Sequence, residues 1–141
     1  MSLPDKIQLE IVTPEQIFFS GEVDEVNVPG AEGYLGILPG HAPLLSELRI
    51  GVISYRQGSQ ESHLFCSWGF AEVLPNRVSV LAEVAKSPDQ IDVKQARAER
   101  DEAEKLLQSL DEDIDYAQAM DALQQAQVQL DLAASEADGK S

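Results

Sequence analysis

Asn76-Arg77-Val78-Ser79-Val80-Leu81-Ala82-Glu83-Val84-Ala85-Lys86, continued by Ser87-Pro88-Asp89-Gln90-Ile91-Asp92-Val93-Lys94-Gln95-Ala96, is the stretch on which the fold turns. In its first part Val78 and Val80 alternate with Ser79, the period of two that marks a half-buried strand. In its second part Val93 and Ala96 open a series that steps by three and four through Arg100, Ala103, Leu107 and Leu110, which is one stripe of a helix. The backbone chemistry changes at the same place. All seven prolines lie at or before Pro88 and eight of the nine glycines at or before Gly69, so Asp89 to Asp138 contains neither. Seven of the eight aromatics also precede the junction, which places the expected aromatic core there. The expected division is a strand-built domain over residues 1–86 and a helical one over 87–141, with a disordered tail from about residue 136.

Upstream of the junction, turn signals recur at Pro29-Gly30, Pro39-Gly40, Gly51, Gln57-Gly58-Ser59 and Pro75-Asn76, the spacing of an all-β sandwich or barrel. Ile7, Leu9 and Ile11 alternate with Gln8 and Glu10, and Val26 and Val28 with Glu25 and Asn27. His63-Leu64-Phe65-Cys66 is apolar at successive positions, as where both faces of a strand are covered. The spacing predicts roughly eight to ten short strands in an antiparallel sandwich. Downstream, a second series, Tyr116, Ala119, Leu123, Ala126, Leu130 and Ala133, predicts a second helix. Asp115 with Gln118 forms a capping box for it, and Asp92 with Gln95 offers one for the first helix, with Ser87-Pro88 as a competing start. The acidic turn Asp111-Glu112-Asp113 between the helices is short enough to make them antiparallel neighbours. The class is therefore α+β, a sandwich followed by a two-helix hairpin. Alanine at alternate stripe positions buries little area, so the hairpin is marginal alone, and its edge of Met120, Val128 and Leu132 is expected to dock on the sandwich or on another protein.

The chain has 141 residues, 43% of them hydrophobic, enough for a folded core. Ten basic and 25 acidic residues give a formal charge of −15, divided −6 and −9 about Lys86. That field repels phosphate backbones and anionic headgroups, which argues against nucleic acid as a partner. One cysteine, Cys66, excludes an internal disulfide, and Met1-Ser2-Leu3 does not open a signal peptide, so the expected compartment is reducing and cytoplasmic. No run approaches the roughly 18 apolar residues of a membrane span, so membrane contact is expected to be indirect.

Chemistry-bearing residues are sparse. His41, in Leu38-Pro39-Gly40-His41-Ala42-Pro43-Leu44, either closes a turn by a hydrogen bond or meets a partner. His63 and Cys66 have a ligand-like gap, but two ligands do not make a zinc site. Neither histidine accompanies a nucleophile-elbow sequence. Gly30, Gly33, Gly36 and Gly40 precede strands and prolines and carry no lysine, which suits tight turns better than a phosphate cradle. The acidic run lacks the glycine and distal glutamate of a calcium loop. No catalytic residue, metal or cofactor is expected.

The chain resembles the epsilon subunit of bacterial and chloroplast F-type ATP synthase. The matching segments are Leu9-Glu10-Ile11-Val12-Thr13-Pro14-Glu15, the long signature Gly33-Tyr34-Leu35-Gly36-Ile37-Leu38-Pro39-Gly40-His41-Ala42-Pro43-Leu44, Gly69-Phe70-Ala71-Glu72-Val73, and Asn76 to Ala82. Ile91-Asp92 and Asp115-Tyr116-Ala117 open the helices where that family opens them. The resemblance implies a non-catalytic rotor subunit of a proton- or sodium-translocating synthase, peripheral on the cytoplasmic face of the inner membrane. Its sandwich would grip the gamma subunit and rest on the c-subunit ring, while its hairpin, when extended, would reach the beta subunit and brake ATP hydrolysis. Within the Glu32 to His41 loop, Glu32, Tyr34, Pro39, Gly40 and His41 are the implied partner contacts, Tyr34 standing where an acidic residue is common.

Two departures bear on regulation. Members whose hairpin binds ATP carry Ile or Leu, Asp, two residues, Arg, Ala; here Asp92 remains as a remnant and Gln95 replaces the arginine, removing a bidentate phosphate partner. The second helix holds Asp121, Asp131 and Glu136 and no Lys or Arg, whereas inhibitory members set basic residues against an acidic segment of beta. Arg97, Arg100 and Lys105 on the first helix compensate only in part, because Glu99, Asp101, Glu102 and Glu104 are interleaved with them. ATP sensing is therefore expected to be absent and braking weak. A free-standing binding module with a coiled-coil tail shares the periods but needs no Pro-Gly-His-Ala-Pro turn, and a hydrolase or lyase on a small barrel lacks convergent acid and base residues.

Overall fold

The structure, a computed structural model, describes residues 4–139, and its chain divides into two compact units at Lys86/Ser87. The first holds eight strands: β1 (Ile7–Val12), β2 (Ile17–Val23), β3 (Glu25–Gly30), β4 (Gly33–Ile37), β5 (Leu44–Leu48), β6 (Gly51–Gln57), β7 (Gln60–Leu74) and β8 (Arg77–Lys86). They run in the order β2-β1-β8-β7-β5-β3-β4, with β6 bonded to β3 and β7. The sheet is mixed, not wholly antiparallel as the turn spacing suggested, because β1 lies parallel to β8 from Gln8 against Arg77 to Val12 against Leu81. Local alternation carries no information about which distant strand is the neighbour.

The two layers are stitched by β7, which at 15 residues is not a short strand. Its residues 60–66 pair with β6, and its residues 69–73 pair with β5, while β8 follows along its other side. A strand that changes layers must bend, and the bend falls at Trp68 (φ +48°) and Gly69 (φ +157°). A Cβ on Gly69 would sit 1.9 Å from the Leu81 carbonyl oxygen of β8, so the bend brings backbone against backbone.

Alternation places Ile7, Leu9 and Ile11 of β1, Val26 and Val28 of β3, and Val78, Val80 and Ala82 of β8 in one buried cluster. Leu64, Phe65, Cys66 and Ser67 are buried at successive positions, the behaviour expected of that continuous run. The core is aliphatic, which corrects the expected aromatic core. Among the aromatics only Phe65 is fully buried; Phe18, Phe19 and Tyr55 pack half-buried at its margin, with the Phe19 and Tyr55 rings 4.4 Å apart, and Tyr34, Trp68 and Phe70 are exposed. Two expected turn signals are instead strand residues. Pro29 and Gly30 end β3, opposite Tyr34 and Gly33, and Gly51 opens β6.

In the second unit both proposed helix starts are used. Ser87-Pro88 opens a single 3-10 turn (Pro88–Gln90), with the Gln90 side chain accepting from the Ser87 N–H at 3.0 Å. Asp92 then caps α1 (Val93–Gln108), its carboxylate accepting from the Gln95 N–H at 3.0 Å. The box is half made, because the Gln95 amide donates to Glu99 at 3.0 Å instead of returning to the cap. Asp115 caps α2 (Tyr116–Gly139) through the Gln118 N–H at 3.0 Å. Ala96 and Ala103 of α1 and Ala119 and Ala126 of α2 are buried, as the alanine series predicted.

Two expectations fail in detail. Leu110 is not part of the stripe: α1 ends at Gln108, Ser109 takes an extended conformation with its carbonyl accepting from the Tyr116 hydroxyl, and Leu110 is 96% exposed. The helix continues past residue 136 to Gly139, and the rest of the expected tail, residues 140–141, lies outside the described residues. Of the edge expected to dock, Leu132 is buried, Val128 half-buried and Met120 exposed.

Candidate partner-binding surface of the sandwich

The Glu32 to His41 segment is not one loop. Gly33 to Ile37 is strand β4, so Glu32 stands at one end of it and Pro39-Gly40-His41 beyond the other, about 13 Å of strand apart. The expected contact residues therefore divide into two places. At the first, Ala31 and Glu32 turn the β3–β4 hairpin, and the Arg49 guanidinium donates to the Ala31 carbonyl at 3.3 Å. Tyr34 reaches across to β6, where its hydroxyl accepts from the Val52 N–H at 3.0 Å. This crossing needs glycine at Gly51, because a Cβ there would lie 2.7 Å from both the Tyr34 hydroxyl and Pro29 Cβ. The departure at Tyr34 is thus structural on its hydroxyl side, while its ring remains exposed. Glu32, Tyr34, Leu44, Leu45 and Glu47 line a groove of about 470 Å³.

At the second place Gly40 donates to the Pro75 carbonyl at 2.7 Å, tying the β4–β5 turn to the β7–β8 turn. His41 closes its turn through its N–H to Leu38 O at 3.2 Å, and its Nδ1 lies 2.7 Å from the Ala42 carbonyl oxygen. Because a carbonyl oxygen only accepts, Nδ1 is the donor in this contact. Turn closure and a partner contact are compatible readings of one ring. Leu38, Leu44 and Leu74 are exposed.

Reasoning from sequence missed the outer face of the sheet. Strand register places Glu47, Phe70, Leu81, Val12 and Ile17 side by side across β5, β7, β8, β1 and β2. Phe70 is 50%, Leu81 59% and Ile17 65% exposed, an apolar row spanning about 15 Å from β7 to β2. A signal was present, since Leu81 is apolar between two inward positions, Val80 and Ala82.

The remaining polar groups are structural. His63 and Cys66, three apart on β7, alternate to opposite faces; His63 Nε2 lies 3.4 Å from Glu61, and the Cys66 thiol, pushed up to about 12 by burial, is inert. In the acidic turn Asp111 accepts from the Asp113 N–H at 2.9 Å. Asp24 accepts from Lys6 and from the Gly58 N–H at 2.7 Å, with Arg56 3.8 Å away, and these partners, Lys6 first, hold its carboxyl below the ordinary 3.8. A depressed folded value means stability that is present above the unfolded value and lost as pH falls through the folded one. Asp24→Asn should therefore lower stability at pH 7, and the difference from the parent should shrink as pH falls through the folded-state value of Asp24 in pH-dependent urea unfolding.

The architecture is thus a sandwich with an apolar outer row, followed in the chain by an alanine-lined helix pair, with no residues arranged for chemistry among those described. Comparison with known proteins sharpens this. Residues 6–88 match the family described as "ATP synthase, Delta/Epsilon chain, beta-sandwich domain", and residues 89–134 match "ATP synthase, Delta/Epsilon chain, long alpha-helix domain". The ATP synthase epsilon chain of Nitratidesulfovibrio vulgaris is 47% identical over 120 residues, 85% of this chain and 90% of that one. That of Solibacter usitatus is 44% identical over 130 residues, 91% and 96%. The Euglena gracilis mitochondrial ATP synthase (OSCP/F1/c-ring) contains a chain with the same fold, TM-score 0.82 at 24% identity, covering 91% of this chain and 81% of that one. The chain belongs to the ATP synthase delta/epsilon chain family, as a non-catalytic epsilon subunit of the central stalk. It acts within a membrane-associated complex, and no helix among its described residues is long and apolar enough to cross a membrane.

Proposed function

We propose that the sandwich is the grip on the rotor, with the Phe70–Leu81–Ile17 row seated on the gamma subunit and the Glu32–Tyr34 groove turned to the c-subunit ring. The single observation that carries this is the exposed apolar row, which is a hot-spot surface without a cover among the described residues. Rotation then passes from the ring through gamma to the catalytic head at the cytoplasmic face of the inner membrane, with this chain as a coupling part.

The hairpin is a weak brake without nucleotide sensing. Asp92 is occupied as a helix cap and Gln95 is bonded to Glu99, so the remnant nucleotide motif offers a triphosphate a carboxylate-rich wall. Calorimetry is expected to show no micromolar binding of MgATP. On α2, Asp121 and Asp131 engage Gln125 and Gln127 at 2.8 and 2.9 Å, and the helix presents no basic group to an acidic segment of beta. Titrating ATP hydrolysis by a cognate catalytic head tests the reading. The full chain and a truncation ending at Lys86 are both expected to bind and neither to slow turnover strongly, whereas Asp121→Lys with Asp131→Lys should strengthen inhibition. Strong inhibition by the parent chain alone, or none gained by the reversal, contradicts the electrostatic account.

A further inference from the structure

The second unit carries a groove that neither the coupling role nor the brake uses, apart from Gln95 of the remnant nucleotide motif and its partner Glu99, which line it. It lies along one shoulder of the hairpin, has a volume of about 720 Å³, and is floored by the buried Ala103 and Ala119, with Ala98, Leu106, Ile114 and Ala122 along its walls. From Gln95 to Leu106 it follows α1 for about 16 Å, three turns of helix. Its floor of small side chains admits close approach of another rod, and its length and openness fit a helix better than a compact ligand. Glu99 and Glu102 line it from α1, and Asp113 and the α2 cap Asp115 from the connecting turn. None of the α1 cations lines it, and Arg100 is turned to Asp101 at 3.2 Å.

We propose that this groove receives a cationic amphipathic helix of a partner protein, whose apolar stripe rests on the alanine floor and whose Lys or Arg residues meet Glu99 and Glu102. Four carboxylates along an open shoulder disfavour an anionic or purely apolar occupant, and the net charge of −9 on residues 87–141 steers a cation toward it. The proposal stands apart from the rotor reading, since it involves none of the sandwich residues assigned there.

The probe is a labelled 18-residue leucine–lysine peptide of helical spacing, with a leucine–glutamate counterpart, titrated by fluorescence anisotropy against the full chain. The cationic peptide is expected to bind one to one. Glu99→Gln with Glu102→Gln should weaken it about tenfold. Glu15→Gln with Glu83→Gln, the same charge change on the sandwich, should alter affinity less than about twofold. Ala122→Phe, at an exposed position that fills the groove, should weaken binding while circular dichroism keeps its helix content. Equal loss in both charge variants, absence of one-to-one binding, or equal binding of the anionic peptide overturns the proposal. So does self-association of the chain that Ala122→Phe abolishes, which would make a second copy the occupant.

Discussion

Gly69→Ala is expected to destabilise the sandwich by about 3–6 kcal/mol, a large share of the 5–15 kcal/mol that holds a domain of this size together. Two costs add. The residue sits at φ +157°, where an L side chain is strained, and its Cβ would meet Leu81 O at 1.9 Å, Leu81 C at 2.9 Å and Ala82 Cα at 3.0 Å. All three are backbone atoms of β8, so no side chain can swing aside. Relief requires β7 and β8 to separate, and β8 carries Val78, Val80 and Ala82 into the core. Gly58→Ala is the control, since its φ is +65° and nothing lies within 4 Å of the added carbon. It should cost only about 1–2 kcal/mol. Urea unfolding monitored on the strand signal separates the two. Similar small losses for both variants would mean that the layer-changing bend in β7 is not tight.

Phe70→Asp with Leu81→Asp is the second large effect, and it falls on binding instead of folding. Both side chains point outward on neighbouring strands and are at least half exposed, so the double variant should change unfolding free energy by no more than about 1 kcal/mol. If the outer row is the seat on gamma, each loss removes a central apolar anchor, and together they should weaken the complex about a hundredfold or more. The carboxylates also bring charge into a patch that must be dehydrated on docking. Calorimetric titration against gamma measures it. An unchanged affinity would move the grip to another face.

The parts of this account legible in the sequence are those governed by local period. Val78 and Val80 about Ser79, and Ala96, Ala103, Ala119 and Ala126 at helical spacing, take the burial their periodicity predicts. Asp92 and Asp115 cap helices because capping needs only neighbours three residues along. The parallel pairing of β1 with β8 is different, joining residues nearly 70 positions apart in the chain, and no local pattern reports it. The same blindness hid the binding face. Phe70 and Leu81 are each a single apolar residue out of phase, and they become a row only once the register sets them beside Val12 and Ile17. Conversely, Glu32 and His41 look like one loop because the signature joining them is continuous, yet Tyr34 and Leu35 are strand residues that hold the two ends apart. Gly51 looks like a turn because glycine punctuates chains, whereas here it makes room for the Tyr34 hydroxyl.

The most direct test of the central claim, that the sandwich alone seats this chain on the rotor, is the affinity of gamma for the full chain and for a truncation ending at Lys86, measured side by side. The account predicts equal affinities within about threefold, because no residue assigned to the seat lies beyond Lys86 and a threefold change is under 1 kcal/mol. A truncation that folds but no longer binds gamma would contradict it and place the grip in the helices.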